Sequence, residues 1–215
     1  VAVRSTNLRL ETRHSQGRKL PDIPERVGYL TTMILQLDRR AFPLATLLIV
    51  TDENGALRAL DFQDCEPRMH RLLARHYGEV RLSEGQAPTT VTQALDAYFA
   101  GDLAAIDWLP TIAGGTDFQR AVWSALRRIP AGTTLSYEAF AARVGKPNAS
   151  RAVGLANGSN PVAIVVPCHR VIGANGALTG YAGGMARKAW LLEHERPAPG
   201  DAGRISAGPF SPIRF

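Results

Sequence analysis

The sequence predicts an α+β fold: an N-terminal three-stranded antiparallel sheet with covering helices, followed by a mostly helical part built on a helix-turn-helix. Three observations predict it. Runs rich in branched and apolar residues lie between positions 33 and 62, around an Asn54-Gly55 turn, the strongest short-range hairpin signal. Beyond them apolar residues recur at helical spacing. Two short helical stretches then flank Gly145-Lys146-Pro147, the layout of a helix-turn-helix.

Met33 to Phe42 and Ala45 to Thr51 read as the first two strands. Asp52-Glu53-Asn54-Gly55 turns the chain, and Ala56 to Phe62 is the third strand. Three strands leave an apolar face that needs a cover. Glu66 to Tyr77 supplies it, with Met69, Leu72, Leu73 and His76 at helical spacing. His70 and His76 are read as surface or packing residues, not ligands. Gly78 to Pro88 reads as a loop, and Thr90 to Ala100 as a second helix with Leu95, Tyr98 and Phe99 on its apolar side. A boundary spans Gly101 to Gly115. Thr116-Asp117-Phe118-Gln119 is a capping box, so a helix starts there. Phe118, Val122, Ala125, Leu126 and Ile129 form its buried stripe, and Pro130 stops it.

Ser136 to Val144 is the next short helix. Asn148 is expected to cap the one after it, which runs to about Asn157. That helix is small on one face, with Ala149, Ala152, Val153 and Ala156, and carries Arg151. Such a face lets another surface come close; tight packing on a neighbouring helix is the competing reading. Gly173-Ala174-Asn175-Gly176 forms a hairpin or loop. Gly180-Tyr181-Ala182-Gly183-Gly184 lacks the spacing of a phosphate cradle, and its glycines fit close backbone approach to a flat ligand. Ala186 to Glu195 is the last helix, packed through Trp190, Leu191 and Leu192. The expected organisation is a disordered extension over 1–32, an α/β domain over 33–107, a helical domain over 108–196 and a flexible tail over 197–215. Met33 is read as the start of the folded body; a basic arm that touches nucleic acid is the alternative for the residues before it.

The 215 residues are 45% hydrophobic and 20% charged, an ordinary globular composition, and the net charge of +6 leans weakly towards a polyanionic partner. No apolar stretch approaches the roughly 20 residues of a membrane span, and no signal-peptide pattern opens the chain. A cytoplasmic protein with reduced thiols is expected.

The chemistry concentrates in Pro167-Cys168-His169-Arg170, between Val162-Ala163-Ile164-Val165-Val166 and Val171-Ile172. The chain has only two cysteines, Cys65 and Cys168. Their separation does not match the paired spacing of a zinc site, and two are too few for a disulfide scaffold. A buried, inert thiol is the plain alternative. Positive charge from His169 and Arg170 is expected to lower the Cys168 pKa and supply thiolate.

In this order the motifs resemble the O6-alkylguanine-DNA alkyltransferase family (methylated-DNA–protein-cysteine methyltransferases), stand-alone bacterial type. The resemblance covers Met33 to Arg196 and is dense in GTDFQRAVW, IPAGTTLSYEAFA, SRAVGLANGSNP, IVVPCHRVIG and LTGYAGGMARKAWLLEHE. It implies a ribonuclease H-like N-terminal part and a winged-helix-like C-terminal part. It implies that Cys168 irreversibly accepts the alkyl group from O6 of guanine, and that His169 acts as base through a bridging water, held by Glu195. Asn160 is then expected to brace the turn, and Tyr137 to donate to the departing base. Arg151 would replace the extruded nucleotide in the stack, from a helix in the minor groove. Tyr181 would pack on the flipped base, and backbone groups of Cys168 and Val171 would read its edge. Ser136 and Ala152 complete the expected DNA contacts. Ala182 stands where some members carry Ser. The implied partner is double-stranded DNA containing O6-alkylguanine, and O4-alkylthymine by extension. The protein is expected to be a monomer needing no cofactor and no metal. Its rivals are a non-catalytic lesion binder, against which Cys168 argues, and a Cys-His hydrolase, whose pair normally comes from distant chain positions.

Overall fold

The structure, a computed structural model, describes residues 32–196. The segments 1–31 and 197–215, which hold the expected extension and tail, lie outside the described residues.

Strands β1 (Met33–Ala41), β2 (Thr46–Thr51) and β3 (Leu57–Phe62) form the antiparallel meander. Its second turn is closed by Asp52, whose Oδ1 accepts from the amides of Asn54 and Ala56 at 3.0 and 2.9 Å. Gly55 there takes φ 78°, a conformation that glycine adopts without steric cost. A further strand, β4 (Val80–Glu84), lies parallel to β1 where the sequence reads as loop, so the sheet is mixed, in the order β3-β2-β1-β4. This short edge strand offers only Val80 and Leu82 as apolar residues. Its pairing is decided by the open edge of β1, a non-local feature that local periodicity cannot report.

The sheet's alternation sends side chains to two faces. Leu35, Leu37, Leu48, Val50 and Ala59 pack under α1 (Glu66–Tyr77) against Met69 and Leu73. On the other face, Leu47, Ile49, Leu60 and Phe62 meet α2 (Thr89–Phe99) through Val91, Leu95 and Tyr98. That second cluster continues without a break into Val122, Leu126, Phe140, Val153 and Leu191 of the C-terminal half. One core therefore spans both halves.

Helix α3 (Asp117–Leu126) starts at the predicted capping box, with both reciprocal bonds made between Thr116 and Gln119. Helices α4 (Tyr137–Arg143) and α5 (Ser150–Gly158) form the helix-turn-helix, and α6 (Met185–His194) closes the fold. Asn148 does not cap α5. The N-cap is Ala149, with no side-chain cap bond, and its amide completes the preceding turn by donating to the Lys146 carbonyl at 2.9 Å. Strand β5 (Leu135–Ser136) pairs in parallel with β6 (Val171–Ile172). The chain after Cys168 thus returns to the start of α4, and residues 173–177 form a closed loop rather than a hairpin, with the Gly173 amide on the Ala177 carbonyl at 2.8 Å.

Two segments dock on the free edge of β3. Leu57 exchanges hydrogen bonds with Pro110 and Ile112 at 2.9 and 3.0 Å, and Leu60 with Pro161 and Ala163 at 3.0 and 2.8 Å. They satisfy edge groups that would otherwise stay open. They also tie the chain entering the cysteine segment to the rigid sheet. Among the described residues no helix is long and apolar enough to cross a membrane.

Candidate active site

The run from Pro161 to Arg170 is buried and tightly folded. Ile164 takes φ 69°, the left-handed region that a β-branched residue avoids. Such a conformation costs about 1–3 kcal/mol and must be held by its surroundings. Asn160 is the main brace: Nδ2 donates to the carbonyls of Val166 at 2.8 Å and Val162 at 3.4 Å, while Oδ1 accepts the Val162 amide at 3.0 Å. The same Nδ2 lies 3.2 Å from Cys168 Sγ. Asn157 adds a bond from Nδ2 to the Cys168 carbonyl at 3.3 Å.

Cys168, His169 and Arg170 form a single turn of 3-10 helix. With three residues per turn their side chains fan out about 120° apart, so each reaches a different environment. Cys168 is 7% exposed and lines a narrow cleft with Arg68, Asn160, Tyr181 and Gly183. Burial pushes its thiol pKa up, outweighing the Asn160 bond and the charges of Arg68 and Lys188. This corrects the expectation that Arg170 would help ionise the sulfur. Arg170 instead forks Glu195, with Nε on Oε2 and Nη2 on Oε1, both at 2.8 Å, and Nη1 on the Ile129 carbonyl. At neutral pH the sulfur rests as a thiol and needs a base.

His169 supplies a nitrogen suited to that role. Its Nε2 lies 3.0 Å from Glu195 Oε1. Burial alone would raise the Glu195 pKa, but His169 and Arg170 hold the carboxyl well below its usual range. A carboxylate only accepts, so Nε2 carries the proton and Nδ1 is left as an acceptor. Nδ1 is buried and engages no protein group. Burial lowers the His169 pKa and keeps the ring neutral at neutral pH.

The other predicted residues are placed as follows. Tyr137 opens α4, half-buried; burial, then the neighbouring Cys168, raises its pKa. Ser136 caps α4, its Oγ accepting the Ala139 amide at 3.0 Å. Arg151 and Ala152 are exposed in the first turn of α5, and Leu155, 72% exposed, follows on the same face. The Val171 amide is already bonded to the Cys168 carbonyl, and its own carbonyl accepts from Lys188 Nζ at 2.6 Å. Only the second lone pair of that carbonyl is left for a base edge. Tyr181 stands edge-on to His169 at 6.5 Å and to Phe62 at 6.4 Å, with its hydroxyl buried and unpartnered. A Cβ on Gly183 would collide with Phe62 and come within 2.8 Å of the Tyr181 ring, which explains the glycine there. Ala182 is exposed and its carbonyl faces Cys65 Sγ at 3.7 Å. Among the described residues no three His, Cys, Asp or Glu side chains converge as a metal site would require.

Three polar residues of the site escape the sequence reading. Lys188 is fully buried, its Nζ bonded to the carbonyls of Val171 and Thr179 at 2.6 and 2.8 Å. Its signal is helical spacing, since Lys188, Leu191 and Glu195 share one face of α6. Arg68 reaches from α1 to the carbonyls of Gly158 and Asn160, each at 3.4 Å, and pairs with the buried Asp61 at 3.1 Å. Tyr98 of α2, read as an apolar packing residue, places its hydroxyl 2.8 Å from Glu195 Oε1. The need of a buried phenol for a partner is the only hint of it.

Residues 31–112 match the ribonuclease-like domain of 6-O-methylguanine DNA methyltransferase, and residues 117–197 match its DNA binding domain. A Salmonella typhimurium protein named methylated-DNA–protein-cysteine methyltransferase is 53% identical over 161 residues, 74% of this chain and 94% of its own length. One of the same name from Methanosarcina acetivorans is 56% identical over 153 residues, 71% of this chain and 93% of its own. The crystal structure of Mycobacterium tuberculosis OGT in complex with DNA superposes with a TM-score of 0.62 at 38% identity, covering 75% of this chain and 92% of that one. With both domains matched in order and relatives this similar along nearly their whole length, the chain belongs to the 6-O-methylguanine DNA methyltransferase family.

Proposed function

We propose that this DNA-repair methyltransferase takes the alkyl group from O6 of guanine in duplex DNA onto Sγ of Cys168, once per chain and irreversibly. One observation carries the reading: a cleft-lining thiol directly precedes a buried, neutral His169 whose Nε2–H is held by the Glu195 carboxylate, leaving Nδ1 to accept a proton. In the proposed step the Sγ proton passes to Nδ1 through a bridging water. The thiolate then attacks the alkyl carbon, the carbon–O6 bond breaks, and its electron pair stays with the guanine, which Tyr137 stabilises by donating from its hydroxyl. The thioether product has no easy leaving group, so the chain is consumed. O4-alkylthymine presents the same alkyl–oxygen bond and is proposed as a slower substrate.

The O6 atom is sheltered inside a duplex, so the base must leave the stack. The exposed face of α5, with Arg151, Ala152 and Leu155, is proposed to enter the minor groove, Arg151 filling the space that the base vacates. Tyr181 then packs on the extruded base, and backbone groups of Cys168 and Val171 read its edge, the Val171 carbonyl through its remaining lone pair. The protein is proposed to act as a monomer.

Titration of the protein with duplex DNA containing O6-methylguanine tests the reading. The Cys168 peptide is expected to gain the mass of one methyl group, saturating at one equivalent per chain. Turnover beyond one equivalent, or no modification of Cys168, overturns it. Arg151→Ala is expected to slow repair of duplex DNA by about tenfold or more, the cost of an unaided flip being a few kcal/mol, while reaction with free O6-benzylguanine changes little. Single-turnover rates on both substrates check this; an equal loss on both removes the flipping role.

A further inference from the structure

Glu195 does more than face His169. Its Oε1 accepts three hydrogen bonds, from His169 Nε2 at 3.0 Å, Arg170 Nη2 at 2.8 Å and Tyr98 Oη at 2.8 Å, whereas Oε2 takes Arg170 Nε alone at 2.8 Å. Every member is buried: Tyr98 and His169 are 0% exposed, Glu195 1% and Arg170 2%. Tyr98 belongs to α2, in the half of the fold that carries no other member of this cluster. It also grips the end of α6 a second time, since its carbonyl accepts from His194 Nε2 at 2.8 Å and the two rings meet edge-on at 5.1 Å.

From this geometry we infer that Tyr98 is a positioning residue for the cysteine reaction, setting through Glu195 how strongly His169 holds a proton. This deepens the alkyl-transfer reading and rests on it. A hydrogen bond to one oxygen withdraws charge that its other partners would feel. Arg170 balances the charge of Glu195 as a whole. Tyr98 adds a neutral donor to the very oxygen that His169 faces. With the phenol in place, the carboxylate orients the imidazole while pulling less on its proton, so His169 stays neutral and able to receive the proton of Cys168. Without it, the full charge of Oε1 favours imidazolium, which cannot act as a base. Burial, then the charge of Glu195, drives the ionisation of Tyr98 far above neutrality, so the phenol stays a donor. The other charged or titratable groups that face the cluster are Asp107 from the segment after α2, Lys188 and His194 from α6, and Tyr181 from the glycine-rich loop. Among the described residues, His169, Arg170 and Tyr98 donate to Glu195 Oε1, and none of these four groups does.

Tyr98→Phe keeps the ring and removes only the hydroxyl. Two measurements on the full chain read the result. The first is an NMR titration of the His169 ring nitrogens in the unreacted protein, without substrate. The second is the pH profile of the single-turnover reaction with O6-benzylguanine. The His169 pKa and the acid limb of the profile are both expected to move up by about one pH unit, the scale of one charge-assisted hydrogen bond, while the rate above the limb changes less than about threefold. A merely structural tyrosine would lower the rate by the same factor at every pH and leave the titration in place; that result overturns the inference. Should the variant not fold, 3-fluorotyrosine at position 98, a stronger donor of nearly the same size, is expected to move both readouts the opposite way, and an unmoved titration overturns the inference equally. If wild type fails to take an alkyl group from DNA yet the His169 titration shifts, the alkyl-transfer reading falls and the Tyr98 coupling stands.

Discussion

Cys168→Ala is expected to abolish alkyl transfer while leaving duplex binding within about twofold of wild type. The substitution removes one sulfur from a side chain that is 7% exposed, a loss of about 1 kcal/mol or less in stability on the scale of small core truncations. It touches none of the exposed residues of α5. Mass analysis after incubation with O6-methylguanine duplex and a gel-shift titration check the two halves of the claim. Residual transfer in this variant would relocate the nucleophile. The place to look would be Cys65, the other thiol, which sits 3.7 Å from the carbonyl of Ala182, a residue that lines the cleft. Burial, then Asp61 and Asp64, push the Cys65 pKa up, so that it too rests as a thiol.

Glu195→Gln is expected to be the most damaging conservative change in stability. The carboxylate takes two bonds from Arg170 and one each from His169 and Tyr98. An amide of the same shape leaves the buried guanidinium unpaired and turns two donors towards Arg170. Breaking a buried pair in this way costs about 3–5 kcal/mol. Single-turnover transfer is expected to fall by about 10²–10³, the range for losing a positioned base. Urea melts and single-turnover kinetics read both effects. The pH dependence follows from the same network. The folded-state pKa of Glu195 is depressed below its ordinary 4.5, so its stabilisation is present above that value and is lost as pH falls through the lower, folded one. The folded-state pKa of His169 is depressed below 6.5, so the unfolded chain takes up a proton first and stability begins to decline below that pH. The Glu195→Gln variant should lack the first decline and already sit at lower stability near neutrality. A melting midpoint equal to wild type would show that Glu195 does not anchor the cluster.

Much of this was legible from local pattern. The meander around Asn54-Gly55 and the capping box at Thr116 each rest on residues that act on their own neighbours, and the structure has them, whereas α3 ends at Leu126, before the Pro130 expected to stop it. Strand β4 and the β5–β6 pair were not legible, because a two- to five-residue strand is defined by its partner and not by its own sequence. The Asn148 cap failed for a related reason: the turn around Gly145 shifts the first turn of α5 onward and strands the favoured residue outside it.

The site divides in the same way. Cys168 and His169 could be named from the chain because they are adjacent and their residue types are chemically unusual together; Asn160 came only with the family resemblance. By itself the sequence determined which groups can react and the order of elements that carries them. The tertiary structure decided their states. Enclosure raised the thiol pKa, and the 3-10 turn sent Arg170 away from sulfur to Glu195. The shared core brought Tyr98, from another half of the fold, onto the carboxylate oxygen that faces the imidazole. Proton affinity depends on solvent exclusion and on which dipoles point at a charge. Both are properties of the packed interior, and no local spacing encodes them.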